Sequence, residues 1–363
     1  MNVDGFARLL TDYCLEVQPG QQVAIASSTL AAPLLLALQR EVLERGAWPL
    51  LDVTLPGQSE SFWRAIGDSQ LDSVPSAEVA AMREIDATLR IEATGNANAL
   101  ASVDPARMAR WARAQAPLRE VRMTKRWAIT LWPTPAAAQQ AGMGTLELEE
   151  FVERALFLDR DDPVAAWGEL RNFQAGLIER LAPGREIHIE GPGTDLRLNV
   201  EGRTWVNSDG KRNMPSGEVF TGPHETSAEG VIRFTIPTAP RGVVVEDVTL
   251  EFREGRVVSA KAERGDAYLQ ATLETDAGAR YLGELGIGTN FGIDRPIGAI
   301  LFDEKIGGTV HLALGTAYPE SGGLNRSGLH WDMICDLRTG SEVYADGELV
   351  YRDGSFLPGV VAD

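Results

Sequence analysis

The spacing of apolar residues changes near residue 183, and the two patterns call for two different kinds of sheet. Before that point, helical and extended signals alternate. The stretch 5–17 is apolar at Phe6, Leu9, Leu10, Tyr13 and Val17, a helical stripe. Residues 21–28 (QQVAIASS) read as a buried strand, 32–46 as a helix ending at Gly46, and 48–55 (WPLLDVTL) as a second buried strand. A third strand is expected within 86–95 and a fourth within 126–133. Between them a helix starts at the N-cap Asp104, with Pro105 in its first turn. Strongly helical segments follow over 146–181 and connect the halves. This rhythm predicts a parallel α/β sheet covered on both faces. After Gly184 the chain turns to short alternating strands parted by glycine-containing turns. Hairpins are expected at Glu254-Gly255 and Asp346-Gly347. The predicted fold is therefore an N-terminal parallel α/β domain over 1–182 and a C-terminal mixed α+β, strand-rich domain over 183–363.

Charge narrows the function classes. With 52 acidic against 34 basic residues among 363, the formal net charge is −18. That balance opposes phosphate backbones and anionic bilayers, so neither nucleic acid nor membrane is an expected partner. No apolar run approaches the roughly 18 residues a membrane span requires. The opening MNVDGFARLL lacks the basic and apolar blocks of a secretory signal, which points to the cytoplasm. Cys14 and Cys335 flank apolar residues and read as buried, reduced thiols. No glycine-rich phosphate loop follows a strand, and neither GPGTD (191–195) nor GELGIG (283–288) carries a Walker lysine, so no nucleotide cofactor is expected. A GxSxG elbow and an HExxH zinc helix are also absent from the sequence.

The chemistry concentrates in the second half. In HWD, His330 and Asp332 stand two apart, so on a strand they share a face. Alone, that is also the pattern of a half-buried histidine beside an acid. Glu218 in NMPSGEVFTGP, Glu284 in ARYLGELGIG, and Glu304 with His311 in LFDEKIGGTVHLALG lie among apolar neighbours too. Buried charges require partners. Two imidazoles and four carboxylates suit two divalent ions, of which zinc, cobalt, manganese and magnesium are candidates. His188 reads as a paired histidine on an alternating strand, and His224 lies in a turn near Glu218.

Six separated motifs then carry a resemblance spanning nearly the whole chain. DYCLEVQPGQQVAI, EGPGTDLRL, NMPSGEVFTGP, GARYLGELGIG, LFDEKIGGTVHLALGTAYPE and SGLHWDM are similar, in order, to peptidase family M29, the aminopeptidase T group. The resemblance implies an α/β N-terminal domain, a C-terminal domain holding two divalent metals, and a homodimer enclosing the sites. It implies Glu218, Glu284, Glu304, His311, His330 and Asp332 as metal ligands, with Glu284 bridging the ions. Tyr318 in GTAY matches the family's catalytic tyrosine. One departure stands out: Glu304 is seven residues before His311, in a stretch longer than the family's DEN form.

The resulting expectation is a metalloaminopeptidase that cleaves the N-terminal peptide bond of peptides with a free N-terminus, using a two-metal-activated water. Tyr318 would stabilise the oxyanion, while a ligand carboxylate and Glu320 both stand as candidate general bases. The alternatives are a non-catalytic peptide- or metal-binding protein on the same scaffold, and a metal-dependent hydrolase of other amides.

Overall fold

The computed structural model describes residues 1–360. The chain divides into two compact units, one comprising Met1–Val164 with Gly210–Met214, the other Ala165–Asp209 with the chain from Pro215 onward.

The first unit is built on a five-stranded sheet whose pairings are all parallel. Its order is Trp48–Thr54, Gln22–Ser28, Ala87–Glu92, Arg126–Leu131 and Asn213–Met214. The helix Ala32–Glu44 buries Leu34, Leu35, Leu38 and Val42 on one face, the i, i+3/i+4 spacing of an amphipathic helix. The expected cap at Asp104 forms, its carboxylate accepting from the Ala106 N–H at 2.8 Å. Along the first predicted helix, Val3–Arg8 is α-helical and Leu9–Cys14 widens into a π-helix. Thr11 Oγ1 donates to the Ala7 carbonyl at 2.9 Å within this segment.

One strand departs from expectation. Trp48–Thr54 forms, but at the sheet's edge, with Trp48 63 % exposed. Its apolar composition reads like a central parallel strand, yet on an edge much of that surface is left uncovered.

The second unit contains two antiparallel sheets. An eight-stranded sheet runs in the order Arg256–Arg264, Glu246–Arg253, Glu229–Phe234, Thr194–Asn199, Glu186–Gly191, Glu342–Ala345, Glu348–Arg352 and Ser355–Phe356. Both expected hairpins are present, and Glu254-Gly255 and Asp346-Gly347 each have two consecutive positive φ angles, the twist of a type I′ turn. The smaller sheet runs His330–Asp336, Thr309–Gly315, Leu282–Gly288, Glu218–Thr221 and Val206–Ser208. One apolar core joins the sheets: Ile189, Leu196, Ile232 and Leu250 from the larger meet Leu285, Leu312, Leu314 and Met333 from the smaller. The alternate residues of the smaller sheet point away from that core. No helix among the described residues is long and apolar enough to cross a membrane. Cys14 and Cys335 are both buried, as thiols.

Candidate metal centre

Strand register brings distant residues together on the outward face of the smaller sheet. Gly286 pairs with His311, Ala313 with Asp332, Gly315 with His330, and Gly288 with Glu218. Because side chains alternate, Glu218, Glu284, His311, His330 and Asp332 all lie on one face. Glu304 reaches the same place from outside the sheet, as the C-cap of the short helix Ile300–Asp303.

At this place three triads have ligand atoms within 4.8 Å of one another: Glu218–Glu284–His311, Glu284–His330–Asp332, and Glu304–His311–Asp332; a fourth such group among the described residues, His188–Glu190–Asp195, lies on the larger sheet. All six residues singled out in the sequence therefore converge, Glu304 included despite its longer connection to His311. Glu284 belongs to two triads. Its Oε1 lies 3.4 Å from His311 Nε2, and its Oε2 lies 3.7 Å from His330 Nε2. Glu218 Oε2 is 3.4 Å from His311 Nε2, and Asp332 Oδ2 is 3.4 Å from His330 Nε2. Glu218 and Glu284 are each 4 % exposed, and His311 is fully buried.

The electrostatics follow from crowding four carboxylates out of water. Burial drives Glu284 up, with Asp332 and Glu218 adding to it against the opposing pull of His311. Burial likewise raises Glu304 to about 7, opposed by Lys305 and reinforced by Asp332 and Glu218. Burial would lower both imidazoles, but the carboxylates outweigh it. Glu284, Glu218 and Glu304 hold His311 at about 9, and Asp332 and Glu284 hold His330 at about 10. Asp332 is depressed to about 2, its burial overcome by the His330 contact and by the charges of His330, His311 and Lys305.

The donor chemistry fits divalent metal ions. Buried Glu218 Oε2, Glu284 Oε2 and His311 Nδ1 have no hydrogen-bond partner, an arrangement that costs stability unless a cation satisfies the acids. His330 is oriented as a ligand imidazole would be: Nδ1 lies 2.9 Å from the Thr316 carbonyl, leaving Nε2 toward Asp332 and Glu284.

Tyr318 stands at the rim, its ring centroid 5.1 Å from that of His330 and 5.7 Å from that of Phe220. Burial and the nearby Glu284, Asp332 and Glu304 charges push its phenol upward, so it remains a proton donor. Glu320 is exposed, on the turn Pro319–Ser321, and belongs to none of the triads. His188 pairs with Asp195 at 2.8 Å on the larger sheet. His224 Nε2 lies 2.8 Å from the Glu201 carbonyl oxygen. Neither enters the cluster.

Sequence reasoning missed two contributors. Lys305, 1 % exposed, places its ammonium 2.6 Å from Glu218 Oε1 and in contact with Glu304 Oε1. Its only signal was a lysine set in an apolar, glycine-rich stretch. Gln174, on the helix Pro163–Leu181, donates from Nε2 to the Glu218 carbonyl at 2.8 Å and to Thr289 Oγ1 at 3.0 Å. Nothing local in the sequence marks it.

A set of carboxylates and imidazoles facing one point on a sheet offers the donor groups of a metal centre. Relatives place it more narrowly. The family model described as thermophilic metalloprotease (M29) matches residues 1–356. Aminopeptidase 2 of Geobacillus stearothermophilus is 32 % identical, over 98 % of this chain and 95 % of the relative. Aminopeptidase T of Thermus aquaticus is 30 % identical, over 98 % and 96 %. The solved structure of wild-type AmpT from Thermus thermophilus matches with a TM-score of 0.85 at 26 % identity, covering 98 % of this chain and 99 % of that one. The chain belongs to the M29 family and is a metal-dependent hydrolase.

Proposed function

We propose that this chain is a metalloaminopeptidase that removes the N-terminal residue from peptides with a free N-terminus. In this reading Glu218, Glu284, Glu304, His311, His330 and Asp332 hold two divalent ions, drawn from zinc, cobalt, manganese or magnesium. The carrying observation is Glu284, whose two oxygens face different histidines and which two triads share. A carboxylate so placed can bridge two cations. Ions held by these residues would supply Lewis acidity toward the scissile carbonyl and toward a water.

The chain's own groups do the rest. The four carboxylates compensate the cationic charge and keep the centre in place. The Thr316 carbonyl fixes the His330 tautomer through Nδ1. Tyr318, held protonated beside His330, donates to the oxyanion as charge develops on the carbonyl oxygen. Among general-base candidates the ligand carboxylates are favoured over Glu320, which is exposed and outside the cluster. The proposal also includes a cytoplasmic homodimer, for which sedimentation of the purified protein is the direct check.

The test is a panel of aminoacyl and N-blocked peptide reporters, assayed after chelation and after metal is restored. Release of free amino acids from unblocked substrates only, lost on chelation and recovered with metal, is the expected result. Chelator-resistant release contradicts it, and ion binding without turnover of any substrate would favour a non-catalytic binder. Glu284→Gln should bind less metal and lose several orders of magnitude in kcat.

A further inference from the structure

We infer that Lys305 is a cation built into this cluster, competing with a divalent ion for Glu218 and Glu304 and making the Glu218–Glu284–His311 position the weaker of two. The inference rests on the two-ion reading above and adds an asymmetry to it.

Three observations carry it. Lys305 is one of the largest fully buried side chains in the protein, so its ammonium has no solvent to retreat into. It sits between two proposed ligands, on Glu218 Oε1 and Glu304 Oε1, while Glu218 Oε2 faces His311 without a hydrogen bond. Its backbone is anchored at both polar groups: its N–H donates to the Phe302 carbonyl at 2.9 Å, and its carbonyl accepts from the Asn290 N–H at 3.1 Å. The lysine is therefore aimed inward by the loop that carries it.

An ion on the Glu218 side must share a carboxylate with a fixed positive charge at hydrogen-bond range, where low polarisability strengthens repulsion. The Glu284–His330–Asp332 triad contains neither of the lysine's partners. That position should bind first and exchange last.

The experiment counts ions directly. Full-length protein is stripped by chelator, then titrated with Mn²⁺ and separately with Zn²⁺, with bound metal read by elemental analysis after equilibrium dialysis. The wild type is expected to show two classes at least about tenfold apart in affinity, equivalent to roughly 1.4 kcal/mol. Lys305→Gln keeps an N–H donor between the acids and removes the charge, and Lys305→Met keeps the length without a donor. Either should tighten the weak class by about tenfold or more and move the strong class by less than about threefold. A weak class that is unchanged or weaker in folded variants overturns the inference. Should both variants fail to fold, as circular dichroism would reveal, His330→Ala decides: its remaining ion must bind weakly, and tight binding there overturns the inference. Two ions of equal affinity in the wild type reject the lysine's role and leave the two-ion centre standing. Uptake of no ion rejects both.

Discussion

A methyl group at position 286 would collide with the centre. A Cβ built on Gly286 lies 2.1 Å from both Cε1 and Nε2 of His311, well inside van der Waals contact. The glycine exists so that an imidazole can lie flat across the neighbouring strand. Gly286→Ala must push His311 off its position between Glu218 and Glu284. A displacement of about 1 Å at a reacting centre costs on the order of a hundredfold. The variant should keep its far-ultraviolet circular dichroism, lose metal stoichiometry, and fall at least that far in kcat/KM. Retention of wild-type metal content would remove His311 from the ligand set. Tyr318 calls for a different signature, because it touches His330 only at its ring edge. Tyr318→Phe should bind metal normally, keep its KM within a few-fold, and lose about 10² to 10³ in kcat, as expected of one oxyanion donor. A weakened metal affinity in that variant would reassign the tyrosine to holding the cluster together.

The smaller sheet turns these residues into a site, and its legibility from sequence was uneven. His330 and Asp332 were readable because a strand's period of two is a property of the backbone alone. Glu218, Glu284 and His311 drew attention as charges among apolar neighbours, but their registers are long-range facts that only the folded sheet supplies. Glu304 reaches the cluster from a short helix end, where no periodic rule predicts direction. The strand Trp48–Thr54 reads as buried yet lies at the edge, because an apolar run does not distinguish a central strand from an edge one. The helices Gln58–Ala65 and Ser76–Glu84 have no fully buried residue, so their short apolar faces are only partly covered. Gln174 shows how one element supports another. Its amide ties the helix Pro163–Leu181 to the start of the strand carrying Glu218. Gln174→Ala removes two buried donor bonds and leaves a cavity, and should destabilise the protein by about 2–3 kcal/mol. Thermal unfolding would show this as a lower Tm. An unchanged Tm would mean that water replaces the amide without loss.

At the scale of the molecule, folding concentrates four acids and two imidazoles that the chain holds far apart, and that concentration couples metal, protons and stability. His311 and His330, raised to about 9 and about 10, are imidazolium at pH 7. A ligand imidazole must be neutral, so each coordination event expels a proton. Metal affinity should therefore rise with pH by about tenfold per unit for each proton released, until about pH 9 for the position using His311 and about pH 10 for that using His330. Below about pH 7 a further proton is held by Glu304, and the dependence should steepen. The metal-free protein runs the other way. Its imidazolium–carboxylate contacts stabilise it fully below the unfolded value of 6.5, and that stability drains as pH climbs through about 9 and about 10. The Tm difference between metal-loaded and chelated protein must then widen from pH 6 to pH 9, since ligand stabilisation grows with affinity while the reference falls. Calorimetric titration at pH 7 in two buffers of different ionisation enthalpy should count at least one proton released per ion, with a fraction more from Glu304. A count of zero, or a Tm gap that narrows as pH rises, would mean that these two histidines are not ligands.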